Sequence, residues 1–124
     1  MLRNSISMST LALIACTLMA ASATAHPSLI SASPAANLSS TAPPKEITLN
    51  FSEGVIAKFS GLVVKDESGK TIATGVAVTN PKDKKQLIVP LPTPLAAGRY
   101  TVNWQVVSQD THRVQGQYSF TVEP

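Results

Sequence analysis

The sequence has 124 residues, with ten Lys or Arg against seven Asp or Glu and a formal net charge of +3. This length suits one domain with one hydrophobic core and excludes a second. The basic residues are scattered apart from Lys82, Lys84 and Lys85, a group typical of a solvated turn. The charge pattern therefore predicts no nucleic-acid-binding surface.

The first 25 residues have the pattern of a cleaved secretory signal peptide. Arg3 gives a positively charged start, an apolar run follows, and Ala23-Thr24-Ala25 fits the small-x-small cleavage rule. Cleavage there makes His26 the first residue of the mature protein and gives it a free α-amine. We therefore predict a removed signal peptide over residues 1–25, export from the cytoplasm, and one domain over residues 26–124.

The only cysteine, Cys16, lies in this leader and allows a second kind of processing. Leu13-Ile14-Ala15-Cys16 loosely resembles a bacterial lipoprotein box, which would make Cys16 a lipid anchor and leave His26 internal. The apolar run continues past Cys16, which favours the cleavage after Ala25. That cleavage also removes all three methionines, so the mature domain has no disulfide and no sulfur ligand. The absence of soft ligands argues against a dedicated Cu(I) site.

Residues 26–124 alternate between apolar and polar residues and show no helical period. The alternation is clearest from Glu46 to Phe51 and from Tyr100 to Val106. Asp66-Glu67-Ser68-Gly69 predicts a hairpin turn, and the Ser-, Ala- and Pro-rich residues 34–44 predict a loop. The predicted strands cover residues 26–33, 46–51, 62–65, 70–73, 76–78, 86–89, 100–106 and 114–122, with a polar turn over 80–85.

About seven to eight short strands with frequent turns predict an all-β, immunoglobulin-like two-sheet β-sandwich. Trp104 is expected at the centre of the core. Tyr100, near the start of its strand, is a candidate for a tyrosine corner, in which the hydroxyl bonds to the backbone a few residues upstream.

The chain has only two histidines, His26 and His112, and both lie where a metal ion could use them. The α-amine has a pKa of about 8, so it gives up its proton to a metal more readily than lysine does. Pro27 has no backbone N–H, which limits the terminus to amine plus imidazole. His112 adds a third nitrogen and Asp110 an oxygen, and such a set suits Cu(II). The alternative is that His112 and Asp110 are solvated turn residues and that His26 follows the cleavage site by chance.

The motifs along residues 26–124 resemble those of the CopC family of periplasmic copper-binding proteins. The Phe-Ser-Glu, Gly-x-Tyr-x-Val-x-Trp and Ser-x-Asp-x-His elements, in this order behind an N-terminal His, are together specific. In chain order the matching segments are His26-Pro27, Ser33-Pro34-Ala35, Leu49 to Glu53, Phe59-Ser60-Gly61, Leu95 to Trp104, Val107 to His112 and Gly116 to Val122.

The resemblance implies a periplasmic β-sandwich that binds one Cu(II) through the amine and imidazole of His26, with His112 and Asp110. It also matches Glu53 to a family carboxylate near that site, where a surface acid at a strand end is the alternative. The implied role is copper homeostasis and resistance without enzymatic activity. We expect a monomer that sequesters copper or delivers it to a CopD-like inner-membrane copper transporter, with no insertion in the membrane.

The sequence departs from better-known family members at one loop. They carry a Met-rich loop that binds Cu(I), where this chain has Val64-Lys65-Asp66-Glu67-Ser68-Gly69-Lys70. It is more similar to the short, methionine-free members sometimes called YobA, so the Cu(I)-carrier role is not expected. Two alternatives belong to other classes: a copper-dependent oxidase or monooxygenase that uses the N-terminal histidine, and a β-sandwich assembly module without a metal.

Overall fold

The computed structural model describes residues 26–124, and the predicted leader, with Cys16, lies outside the described residues. Nine strands and one 3-10 helix, Ala57–Phe59, occur in the described part of the chain. The strands are β1 Leu29–Ser33, β2 Ser39–Ser40, β3 Glu46–Phe51, β4 Gly61–Lys65, β5 Thr71–Ile72, β6 Val78–Asn80, β7 Asp83–Pro90, β8 Gly98–Val107 and β9 Arg113–Val122.

The strands form two sheets, which confirms the predicted all-β two-sheet sandwich. The four-stranded sheet has the order β1-β3-β7-β6, and the five-stranded sheet has the order β2-β9-β8-β4-β5. All pairings are antiparallel except that of β2 with β9. None of the helical structure over residues 26–124 is long and apolar enough to cross a membrane.

The core lies between β3 of one sheet and β8 of the other, because alternate side chains of each strand point inward. Trp104 is only 8% exposed, and its ring meets Phe51 edge-on with the ring centroids 5.3 Å apart. Gly116 lies opposite Trp104 in β9, and a Cβ at that position would be 2.5 Å from the indole. The buried residues of the two central strands are Ile47, Leu49, Phe51, Tyr100, Val102, Trp104 and Val106.

The tyrosine corner expected at Tyr100 is confirmed. The Tyr100 hydroxyl donates a hydrogen bond to the carbonyl oxygen of Ala96 at 2.6 Å, and its ring stacks on Phe120. The predicted hairpin turn is also confirmed, since it joins β4 to β5 and Gly69 has a φ of +83°. Both features rest on short-range sequence signals.

The predicted count of seven to eight strands was wrong, mainly because residues 34–44 are not entirely loop. Ser39 and Ser40 form β2 beside Thr121 and Val122 of β9. Two serines carry no strand periodicity, so only the tertiary pairing identifies this strand. The predicted turn over residues 80–85 was too long, because β7 already begins at Asp83. Lys84 and Lys85 therefore extend an exposed strand end.

Candidate metal centre

The two predicted histidine positions meet at one end of the sandwich. The turn between β8 and β9 runs from Ser108 to His112 and is closed by two backbone hydrogen bonds. The amide of Ser108 donates to the His112 carbonyl and the amide of Thr111 donates to the Ser108 carbonyl, both at 2.9 Å. Thr111 has a φ of +70°, which is rare for a β-branched residue. This tight turn brings Asp110 and His112 side by side.

Asp110 and His112 form the first pair of the site. Oδ2 of Asp110 lies 3.0 Å from Nδ1 of His112, and the two side chains are 50% and 38% exposed. The other carboxylate oxygen, Oδ1, accepts a hydrogen bond from the Ser108 hydroxyl. That hydrogen bond is the main reason why the pKa of the Asp110 carboxyl lies below its usual value. The carboxylate is therefore ionised near neutral pH.

His26 and His112 form the second pair. Their ring centroids are 5.1 Å apart, and the rings are inclined at 56°. The backbone after His26 is held firmly, because Pro27 is fully buried and Ser28 pairs with Ser52. The amide of Ser28 donates to the Ser52 hydroxyl at 2.8 Å, and the Ser52 amide donates to the Ser28 carbonyl at 2.9 Å. These contacts place the exposed His26 beside the β8–β9 turn.

Glu53 follows Ser52 at the end of β3, and its backbone segment lies beside the same turn. Gly54 accepts a hydrogen bond from the amide of Gln109 at 3.1 Å, and Val55 bridges to Ser108. The Glu53 carboxylate forms no ion pair with either histidine in the structure of residues 26–124. A role for Glu53 as a direct ligand stays a prediction.

The surroundings of the His112 ring nitrogen Nδ1 show whether this site fits a metal ion. Its Nδ1 atom is enclosed and has no hydrogen-bond partner among the described residues, so its contact with Asp110 is a close approach without hydrogen-bond geometry. First-row metal ions hold nitrogen and oxygen ligands at about 2 Å, so neighbouring ligands at right angles are about 2.8 Å apart. The observed 3.0 Å between Nδ1 and Oδ2 is close to that separation. The pair therefore fits two adjacent ligands of one ion.

The described side chains do not form a complete set of metal ligands. No group of three or more His, Cys, Asp or Glu side chains over residues 26–124 is close enough to hold a metal ion together. His112 instead links two pairs, with Asp110 on one side and His26 on the other.

Comparison with known proteins identifies the family. The family model of the CopC domain matches residues 29–123. The chain belongs to the CopC family. His26 lies just before the matched region, so its place in the site rests on the geometry above.

Curated relatives of this CopC chain cover most of its length. Protein YobA of Escherichia coli strain K12 is 47% identical over 113 residues, which are 91% of this chain and 91% of the relative. Copper resistance protein C of Pseudomonas syringae pv. tomato is 40% identical over 111 residues, 86% of this chain and 87% of the relative. The first of these matches confirms the expected similarity to YobA, and residues 26–124 of this chain contain no methionine.

Solved structures of CopC proteins share the fold. CopC from Methylosinus trichosporium OB3b has a TM-score of 0.75 and 37% identity, and the match covers 80% of this chain and 95% of that one. PcoC of Escherichia coli, described as a methionine-rich copper resistance protein, has a TM-score of 0.70 and 39% identity, covering 80% of this chain and 100% of that one. The sandwich is thus the CopC β-sandwich.

The sequence motifs of this CopC chain indicate the carboxylate and imidazole groups of the site but assign no role to the residues that position them. The Ser108 hydroxyl donates a hydrogen bond to Asp110, and the Ser52 hydroxyl accepts one from the amide of Ser28, two residues after His26. Thr111 takes the left-handed conformation between Asp110 and His112. A serine two residues before an aspartate is a common pattern, and only the fold shows which hydroxyl is buried against it.

Proposed function

We propose that this CopC-family protein is a periplasmic Cu(II)-binding protein of copper homeostasis and resistance, exported with residues 1–25 as a removed signal peptide. The observation that carries the proposal is the 5.1 Å separation of the His26 and His112 rings. They are the only two histidines of the chain, and they come from opposite ends of the domain. Relatives named copper resistance protein C support the same role.

Four donors would hold one ion: the α-amine and imidazole of His26, a ring nitrogen of His112 and a carboxylate oxygen of Asp110. The amine and imidazole of one residue form a chelate, and Cu(II) stands at the top of the affinity order for such nitrogen ligands. His112 and Asp110 already lie at the spacing of adjacent ligands. Because first residues are loosely held, His26 can close toward this pair when the ion binds.

Glu53 enters the proposal as a nearby negative charge on the loop that bonds to the β8–β9 turn. A carboxylate close to a bound cation lowers the energy of the site even without direct coordination. Its effect on copper affinity should therefore be smaller than that of Asp110 or His112.

The exposure of the site bears on what the protein does with copper. The side chains of His112 and Asp110 are 38% and 50% exposed, so ligands of another molecule can approach an ion held between them. This exposure favours exchange over permanent burial. We propose that the protein acts as a monomer that buffers copper or passes it to a CopD-like membrane transporter, without enzymatic activity.

The test uses protein that begins at His26, with the N-terminus verified by mass spectrometry. With one equivalent of Cu(II), electron paramagnetic resonance should show a tetragonal, nitrogen-ligated spectrum, and competition titration should give one tight site. Tight retention of Cu(I) is not expected. A spectrum of hydrated or loosely bound copper would overturn the proposal, and peroxide-driven oxidation by the loaded protein would instead support the enzyme alternative.

A further inference from the structure

Ser108 is the only buried polar or charged residue of the described chain, with an exposure of 0%. It directly follows Val107, the last residue of β8, and is the first residue of the β8–β9 turn. Burial of a hydroxyl is unfavourable unless the hydroxyl is hydrogen-bonded. The buried Ser108 hydroxyl therefore needs hydrogen-bond partners within the protein.

The Ser108 hydroxyl connects the two ligands predicted for this turn. It donates a hydrogen bond to Oδ1 of Asp110 and accepts one from the backbone amide of His112 at 3.2 Å. The Ser108 amide also donates to the His112 carbonyl at 2.9 Å. One buried side chain thus contacts the carboxylate of one ligand and the main chain of the other.

These bonds determine how the Asp110 carboxylate is turned. With Oδ1 held by Ser108, the second oxygen, Oδ2, is the one that faces His112 Nδ1 at 3.0 Å. The Asp110 side chain is half exposed and would otherwise rotate freely in solvent. Ser108 itself is fixed, because the isolated bridge to Val55 ties its backbone to the loop after β3.

We propose that Ser108 is a positioning residue of the copper site, which turns the Asp110 carboxylate toward His112 in the orientation that one ion requires. This inference rests on the proposed function of the site. Groups that hydrogen-bond to metal ligands commonly change metal affinity by about 10-fold to 100-fold when removed. Ser108 acts through Asp110, so its effect should depend on the Asp110 carboxylate.

The experiment compares Ser108→Ala with Ser60→Ala in protein that begins at His26. Ser60 is a matched control, because its hydroxyl accepts a hydrogen bond from the Val107 amide at 3.0 Å and contacts neither predicted ligand. Ser108→Ala should weaken Cu(II) binding about tenfold and alter the copper hyperfine splitting in the resonance spectrum. Ser60→Ala should leave affinity within about twofold and the spectrum unchanged.

A double-mutant cycle tests the route through Asp110. If Ser108 acts on that carboxylate, adding Ser108→Ala to Asp110→Ala should change affinity by less than about twofold, because Asp110→Ala already removes the oxygen that accepts the Ser108 hydrogen bond. A full tenfold loss in the Asp110→Ala background would overturn the proposal. Ser108→Gly, which removes the hydroxyl together with Cβ, carries the test if Ser108→Ala does not fold.

Copper titrations of the wild type and of Ser108→Ala test the proposed function and the positioning role of Ser108 separately. If the wild-type protein shows no tight Cu(II) site, the proposed function is wrong. If the wild type binds copper tightly but Ser108→Ala keeps the wild-type affinity and spectrum, or matches Ser60→Ala in both, the positioning role is wrong and the proposed function stands.

Discussion

Two turns of the sandwich are built around an aspartate, and they use it differently. In the turn between β4 and β5, Oδ1 of Asp66 accepts hydrogen bonds from the amides of Ser68 and Lys70, both at 2.9 Å. Gly69 takes the positive φ of that turn, +83°. In the turn between β8 and β9, Asp110 is held by the Ser108 hydroxyl, and the positive φ of +70° falls on Thr111.

The first turn uses its aspartate to stabilise its own backbone, whereas the second presents the candidate ligands Asp110 and His112. Asp66 uses its carboxylate on its own backbone, and glycine adopts positive φ without steric cost. Asp110 leaves one oxygen facing His112, and a threonine at positive φ is unfavourable. Strained residues of this kind are concentrated at functional sites. Residues 64–70, which contain the β4–β5 turn, include no methionine.

The largest expected effect is a loss of Cu(II) affinity when a residue of the β8–β9 turn is replaced, with no such loss for the β4–β5 turn. His112→Ala should weaken Cu(II) binding by at least about 100-fold, since loss of a ligand exceeds the loss of a group that supports one. Copper at about a thousand times its dissociation constant should stabilise the wild type by about 4 kcal/mol. Thermal melts with and without copper measure this gain. Asp66→Ala is the control from the other turn, and it should keep the full copper-induced shift. An equal shift in His112→Ala would remove His112 from the site.

A second change tests whether the α-amine of His26 is a ligand. One extra Met before His26 turns the α-amine into an amide, which is a poor ligand, and moves the free amine out of the chelate with the imidazole. We expect copper affinity to fall at least about tenfold, or about 1.4 kcal/mol, with no change in the melting of the apo protein. Competition titration of both forms, with N-termini verified by mass, measures the difference. Agreement within about twofold would exclude the amine as a ligand.

A third comparison replaces, one at a time, the two turn residues that have a positive φ, Gly69 and Thr111. Gly69→Ala should destabilise the fold by about 1 kcal/mol, because an L side chain is disfavoured at this φ. Thr111→Gly should cost less or even stabilise, since relief of the backbone strain offsets the greater freedom of glycine in the unfolded chain. Urea unfolding of the two apo variants against wild type gives both values. Equal losses at both positions would show that Thr111 is not strained.

The smallest effect is the acid dependence of the two aspartates in the apo protein. Hydrogen bonds from Ser68 and from Ser108 hold the pKa of Asp66 and of Asp110 below the usual value. Such groups stabilise the fold fully above their unfolded pKa of about 4, and the contribution is lost as the pH falls through the folded pKa. The stability difference between wild type and Asp66→Ala should therefore shrink below about pH 4. Asp110→Ala should behave alike without copper, and unfolding curves from pH 6 to pH 2 measure both.

The sequence by itself determined most of the strands and the short-range features of this protein. Alternation from Tyr100 to Val106 identifies the inner face of β8, because side chains of a strand alternate between faces whatever it packs against. The Asp66–Gly69 turn and the Tyr100 corner each depend on residues only a few positions apart, so they too were predictable. The sequence also singled out His26, Asp110 and His112 by chemistry, as candidate ligands whose binding of copper stays a prediction.

Tertiary structure alone decided the contacts between distant segments. Two serines become β2 only because β9 offers them a free edge. The rings of His26 and His112 lie 5.1 Å apart because Pro27 is buried and Ser28 pairs with Ser52 across the sheet end. The role of Ser108 follows from its burial. Pairing and burial depend on which strands become neighbours, and the local pattern of residues does not contain that information.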